Sequence, residues 1–331
     1  MGFIMIFHFF DNLRTGASLM KAVRIHEFGG PEVLSYEDVR RPAPRRREVL
    51  LQVHAAGVNP ADWQTRSGGG AARYIKKSLP AIMGWDVSGV VQSVGRGVKE
   101  YHPGDAVFGF VRFPRQAGTY AEYVACPVNE IAIKPRSLSH IEAAALPLVS
   151  LTAWQAIIET AMLKKDQSIL IHAAAGGVGH VAVQLAKWKG AHVIGTASKR
   201  NDAFLRGIGA DEIVNYETTR FERVVGNLDV VLDPRGGEIR QRSWATLRPG
   251  GILISLKGIP REESTAHPDV RGHYVLAKPD GMQLARIAQL VDESDIKPHI
   301  DTVFPLSRAC NAHELSEQGH TRGKIVLQVI D

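Results

Sequence analysis

The chain has 331 residues, 44% of them hydrophobic and 22% charged, with 40 Lys and Arg against 34 Asp and Glu. This balance excludes a disordered chain and a membrane-embedded one, and the length accommodates two domains with separate cores. The excess of +6 would point to nucleic acid or a membrane surface only if it were clustered. Its one dense cluster, Arg40-Arg41-Pro-Ala-Pro-Arg45-Arg46-Arg47, has two prolines and no aromatics. It reads as a solvated loop, so neither a nucleic-acid nor a membrane partner is expected.

In chain order, Phe3–Phe10 is apolar but runs straight into Asp11. It is shorter than the ~20 residues a bilayer span needs and lacks the basic flank and cleavage site of a signal peptide. Residues 1–19 are therefore read as an N-terminal extension peripheral to the fold. From Lys21 to about Val128, short apolar runs such as Ala22–Ile25, Val49–Val53 and Val87–Gly95 alternate with Gly and Pro punctuation, which predicts an irregular, barrel-like β-rich domain. From about Ile141 helical stretches alternate with β-branched runs at Ile169–Ile171, His192–Ile194, Ile213–Val214, Val230–Leu232 and Ile252–Ile254. Strand–helix alternation predicts an α/β unit with a doubly wound parallel sheet of the Rossmann kind. After about Pro279 come an amphipathic helix, Met282–Val291, and strand candidates at Ile300–Phe304 and Lys324–Val329. These do not continue the βαβ series and are expected to return to the first domain. The expected division is thus residues 20–142 with 279–331 as one discontinuous β-rich domain, and residues 143–278 as the Rossmann domain.

The two cysteines, Cys126 and Cys310, lie far apart and outside any C-x-x-C pattern. This argues against a disulfide framework or a structural zinc site and fits a cytoplasmic protein.

The most informative segment is a strand, Ser168–Ile171, running into Ala173-Ala-Ala-Gly176-Gly177-Val178-Gly179, with a helix following. Apolar residues at 178, 181, 182, 185 and 186 carry the helical period. Glycines at 176 and 177 let the backbone approach a pyrophosphate, Gly179 permits close helix–strand contact, and the helix N-terminus offers unpaired N–H groups. The strand–turn–helix setting identifies a dinucleotide site. The next strand ends in Ser198-Lys199-Arg200, where an NAD site would place an acid about 20 residues past the glycines to bind the ribose 2′-OH. A hydroxyl and two cations in that place favour a 2′-phosphate, hence NADPH.

In these residues the chain resembles the medium-chain dehydrogenase/reductases, in particular their zinc-free quinone oxidoreductase branch. The resemblance runs from about Met20 to the C-terminus. It is carried by Gly57-Val-Asn-Pro-Ala-Asp62, Gly84-Trp-Asp-Val-Ser-Gly89, Gly104-Asp-Ala-Val-Phe-Gly109, Leu146-Pro-Leu-Val-Ser-Leu-Thr152-Ala-Trp, the glycine turn, and Gly323-Lys-Ile-Val-Leu327. It implies an alcohol-dehydrogenase-like catalytic domain beside the NADP-binding one, and a homodimer. Gly176, Gly177, Val178 and Gly179 would meet the pyrophosphate. Ser198, Lys199 and Arg200 would meet the 2′-phosphate, joined by Tyr216. Asn59 and Thr152 match positions near the nicotinamide. Tyr216 packing beside the sheet, and Thr152 as a helix-start residue, are the competing readings.

Zinc-using relatives carry a cysteine where this chain has Asn59 and a histidine where it has Trp85; with neither present, no metal is expected. Two departures bear on chemistry. Some quinone reductases carry a tyrosine where this chain has Gln64, beside Trp63, and the family's D-T-V-G-G reads here Asp233-Pro-Arg235-Gly-Gly237. Without a Lewis acid to stabilise an alkoxide, the expected acceptor is a small quinone or an α,β-unsaturated carbonyl, the latter making the protein an enone or enoyl double-bond reductase. The alternative from another class is a non-catalytic NADPH-binding sensor or structural protein.

Overall fold

The computed structural model describes residues 18–330, so the reading of the N-terminal extension falls outside the described residues up to position 17. Leu19 already belongs to the first strand, β1 (Leu19–Ile25), which pairs antiparallel with β2 (Leu34–Arg40). The basic cluster follows as a loop, in which Arg41 stacks over Tyr123 and Arg47 pairs with Glu100. β3 (Glu48–Val58) is buried along nearly its whole length because it is crossed by partners on both edges. Helices α1 (Pro60–Arg66) and α2 (Ala72–Ile75) separate it from the short β4 (Ala81–Ile82) and from β5 (Asp86–Val94). β6 (Ala106–Phe110), β7 (Tyr123–Pro127) and β8 (Ile131–Ile133) complete the N-terminal strands.

Two helices, α3 (His140–Ala144) and α4 (Pro147–Trp154), lead into a second sheet. A π-helical turn, Gln155–Thr160, extends α4. The second sheet is built by β9 (Ser168–Ile171), α5 (Gly177–Trp188), β10 (His192–Ala197), α6 (Asp202–Gly207), β11 (Glu212–Asn215), β12 (Leu228–Asp233), α7 (Gly237–Ser243), β13 (Leu247–Ser255), α8 (Arg261–Thr265) and β14 (Arg271–Tyr274). Its strand order is β11-β10-β9-β12-β13-β14, and every pairing is parallel. In order of appearance that is 3-2-1-4-5-6, the doubly wound arrangement whose switch point lies between its first and fourth strands. Ile169–Ile171 and Val230–Leu232, at that point, are buried throughout, as a sheet covered on both faces requires. α5 packs Val181, Ala182, Leu185 and Ala186 on the sheet, matching the expected apolar stripe, while Val178 is half-buried at its start.

The chain then forms α9 (Gly281–Asp292), β15 (Ile300–Pro305), α10 (Ala309–Glu317) and β16 (Lys324–Gln328). β15 pairs with β16, and β16 pairs antiparallel with β3. The last two strands therefore join the N-terminal sheet, whose order is β15-β16-β3-β5-β6-β8 with β7 also on β3. Gln155 secures the crossing by bonding both the N–H and the carbonyl of Lys278. β14 is an addition to the sequence-predicted strands. Its Arg-Gly-His-Tyr sequence sits at a sheet edge and is mostly exposed, so it carries no hydrophobic signal.

Candidate active site and dinucleotide groove

Glycine 179 is dictated by close packing: a Cβ there would lie 2.3 Å from the Ala173 carbonyl oxygen and 2.7 Å from the Ala174 Cα. Gly176 is the N-cap of α5 and has no side chain to satisfy the helix's first N–H groups, which leaves them available to an anion. Beside this turn opens a cavity of about 560 Å³, which Gly176, Ser198, Arg200 and Tyr216 line together. Four of the sequence-predicted residues thus converge. Gly177, Val178 and Gly179 form the adjoining first turn of α5. Lys199 does not line the cavity; its backbone N–H approaches Glu217 at 3.4 Å instead.

Tyr216 is 54% exposed, so it is a cavity-lining side chain rather than one packed beside the sheet. Ser198 Oγ accepts from Asn201 Nδ2 at 3.1 Å. Three further cations line the same cavity: Arg220, Arg235 and Arg242. Arg220 and Arg242 share Glu222, whereas Arg235 is exposed and makes no ion pair among the described residues. Sequence reasoning assigns a role to none of the three, because Arg220 follows β11, Arg235 lies in the turn after β12 and Arg242 on α7. Residues 317–321, from the other sheet's connection, close the cavity. His172, at the end of β9, also borders it, with its ring held between Thr196 and Ser243; burial pushes its pKa down to about 3, so it is a neutral wall.

The second cluster lies where the two sheets meet. Asn59, at the N-cap of α1, is fully buried. Its Nδ2 donates to Asp86 Oδ2 at 2.8 Å, and its backbone N–H donates to Asp62 Oδ2 at 2.6 Å. The Asp86 Oδ1 accepts the Leu148 N–H at 2.9 Å, and the Leu148 carbonyl accepts the Thr152 hydroxyl at 2.7 Å. Asn59 and Thr152 are thereby joined through two intermediate groups. Thr152 lies within α4 and bonds back along the helix, which does not match a helix-start role. Lys324, on β16, donates to Asn59 Oδ1 and to the Val58 carbonyl. Tyr120 donates to Asp62 Oδ2 at 3.1 Å and meets His313 Nε2 at 3.3 Å.

Electrostatics in this cluster follow from burial. Burial raises the carboxyl of Asp86 to about 6 and that of Asp62 to about 7, the charge of Asp86 adding to the second. Burial lowers Lys324, and both aspartates act to raise it. Both Asp86 oxygens accept hydrogen bonds, as a carboxylate does. Asp62 Oδ1 is buried without a hydrogen-bond partner. Lys324 and the two aspartates are residues that sequence reasoning did not assign; the signal available was a lysine inside the apolar run Gly-Lys-Ile-Val-Leu.

Trp85 is 2% exposed, donates from Nε1 to the Arg115 carbonyl at 2.7 Å and meets Phe113 edge-on at 5.3 Å. It is a core side chain. Trp63 is half-buried, with its Nε1 unpartnered. Among the described residues no group of three or more His, Cys, Asp or Glu is arranged to hold a metal ion.

Residues 45–136 match the family description of an alcohol dehydrogenase GroES-like domain, and residues 208–327 that of a zinc-binding dehydrogenase. The chain is 33% identical to a mitochondrial NAD(P)H oxidoreductase RTN4IP1 of Danio rerio, over 95% of this chain and 92% of that protein. It is also 33% identical to a quinone oxidoreductase of Rattus norvegicus, over 95% and 99%. Among solved structures it is similar to a quinone oxidoreductase from Coxiella burnetii, with a TM-score of 0.88 and 39% identity over 95% of this chain and 100% of that one. A CurK enoyl reductase follows the same fold at a TM-score of 0.86 and 27% identity, over 93% and 99%. With this groove, this sheet order and these relatives, the chain belongs to the medium-chain dehydrogenase/reductase superfamily, in its quinone oxidoreductase branch.

Proposed function

We propose that the protein is an NADPH-dependent oxidoreductase that reduces a quinone or a conjugated carbonyl compound without zinc. The observation that carries this reading is the cationic cavity beside the glycine turn, lined by Ser198, Arg200, Tyr216, Arg220, Arg235 and Arg242. It fits an anionic dinucleotide with a further phosphate on its adenosine ribose, because several guanidinium groups share a space with no acid at the ribose-binding position. When bound, the nicotinamide supplies the hydride. The relatives support both parts: some are named for NAD(P)H or quinone, and a mycobacterial homologue of 28% identity and TM-score 0.82, covering 94% of this chain and 100% of that one, is described as complexed with NADPH.

In this reading the glycine turn, including Gly177, Val178 and Gly179, holds the pyrophosphate. Asn59 and Thr152 border the nicotinamide, and residues 143–278 act as the NADP-binding domain. An acceptor that spreads negative charge over a conjugated system needs less help from the protein than a simple aldehyde does. The chain's own residues therefore act by positioning and by excluding water. A cytoplasmic homodimer is the assembly in which we expect it to work.

The test is NADPH oxidation by the purified protein across a panel of quinones and small enones, with primary alcohols and NADP⁺ as the contrast. Turnover of at least one conjugated acceptor, with alcohols poor, is the expected result. Tight NADPH binding with no turnover on any acceptor would assign a non-catalytic NADPH-binding protein instead.

A further inference from the structure

We propose that Lys324 is a positioning residue for the reaction: it sets the orientation of the Asn59 amide and ties it to the glycine turn on which the cofactor would rest. The inference rests on the reading of Asn59 as bordering the nicotinamide.

The geometry determines which way the Asn59 amide faces. Lys324 Nζ donates to its oxygen, and its Nδ2 donates to Asp86. Turning the amide over would set its NH₂ against an ammonium and its oxygen against a carboxylate, two repulsive contacts in a site shielded from water. An ammonium has three protons and no acceptor, and a carboxylate accepts only. The two ions therefore lock the amide from both ends. Beyond its bond to Asp86, the Asn59 Nδ2 keeps a second N–H whose direction the lock fixes.

The same lysine reaches the other sheet. A Cβ on Gly177 would lie 3.2 Å from Lys324 Cδ, so the lysine stem lies along the start of α5. Its neighbour Gly323 donates from its backbone N–H to the Ala175 carbonyl at 2.8 Å, and the Lys324 N–H donates to the His299 carbonyl at 2.9 Å. The backbone is pinned on both sides, and the side chain runs from the glycine turn to Asn59. A side chain whose stem packs on the dinucleotide turn and whose tip orients a group beside the acceptor relates the two halves of the reaction.

Lysine is the residue suited to this place. Its slender stem fits where even a methyl on Gly177 would crowd it, and its compact charge satisfies two oxygens while facing Asp62 and Asp86. Burial of the ion is compensated only by those contacts.

The test is a double-mutant cycle with Lys324→Gln and Asn59→Ala in the full-length protein, read as kcat, as the Kd for NADPH, and as the fluorescence of bound NADPH. Each single change should lower kcat at least ten-fold and alter the bound-NADPH fluorescence, while the Kd moves less than three-fold. In the Asn59→Ala background, adding Lys324→Gln should change kcat and fluorescence less than two-fold, because the lysine acts through that amide. Multiplying effects, or an Asn59→Ala protein equal to wild type, would overturn the proposal. If Lys324→Gln does not fold, Lys324→Met, which keeps the slender stem and removes the donor to Asn59, takes its place in the cycle, and the same outcomes decide. Should the wild type turn over no acceptor, the functional reading fails by itself, and the fluorescence arm still decides whether Lys324 acts through Asn59.

Discussion

Arg200 Nη2 donates to the carbonyl oxygen of His320 at 2.6 Å, joining the end of the second Rossmann strand to the segment that precedes β16. Arg322 reinforces the junction from the other side, bonding Asn201 at 2.8 Å and the Arg200 carbonyl at 3.0 Å. A guanidinium has five donors, so the His320 contact leaves Arg200 with donors for the cavity it lines. The Arg200→Ala protein should bind NADPH roughly ten-fold or more weakly, the worth of one or two charge-assisted contacts, and bind NADH almost as before. Titration of both cofactors by fluorescence checks this; equal losses would show that Arg200 does not meet the 2′-phosphate.

The protein should contain no stoichiometric zinc and should keep its activity in chelator. Asn59 and Trp85 occupy positions where zinc-using relatives carry thiolate and imidazole, and Trp85 is committed to packing on Phe113 and bonding Arg115. Elemental analysis of the purified chain, paired with assays before and after chelation, decides. One zinc per chain whose removal abolishes turnover is the opposing outcome.

Asp62 should make stability fall as pH rises. Its carboxyl is raised from 3.8 to about 7 by burial, so between those values the folded chain holds a proton that the unfolded chain has released. Its contribution is fully present below about pH 4 and is lost as pH climbs through about 7. Asp62→Asn removes that dependence, since an amide oxygen still accepts from Asn59 and Tyr120 without titrating. Urea midpoints for wild type and variant should diverge across this window, by at most about 1.4 kcal/mol per pH unit. Parallel pH profiles would show that Asp62 is ionised throughout.

Arg240 and Glu263 form a largely buried pair between α7 and α8, with two contacts of 2.8 Å; Arg240 also bonds the Gly258 carbonyl, and Trp244 Nε1 bonds Glu263. Arg240→Met should destabilise the protein by about 3 kcal/mol or more, because it leaves a carboxylate without its counter-ion. Adding Glu263→Gln should return part of the loss. Chemical denaturation measures both; a single variant as stable as wild type would refute the argument.

The amino-acid sequence by itself determined the parallel sheet, the glycine turn and the residues after β10 that line the cavity beside it. These are local signals: β-branched runs at regular spacing, a strand leading into glycines and then an apolar helical stripe, a pair of cations where an acid would otherwise stand. Ser198 and Arg200 could be named because they end the strand that follows the glycine turn and its helix, and Tyr216 because the family resemblance implies it. Lys199 shows the limit of that reasoning, since only the turn of the backbone after β10 decides which of two adjacent cations lines the cavity. β14 shows another, because an edge strand buries too little to leave an apolar pattern.

What only the tertiary structure decided was which distant groups share one environment. Lys324 meets Asn59 across 265 residues, and no periodicity relates two positions that far apart. The return of β16 onto β3 brings them together. Arg220, after β11, likewise shares one cationic lining with Arg235 and Arg242, from the turn after β12 and from α7, only when these segments face the same cavity. The contrast between the two buried carboxyl groups is also a tertiary property. Asp62 and Asp86 are the same residue type, and they differ because one has both oxygens bonded while the other keeps an oxygen buried without a partner.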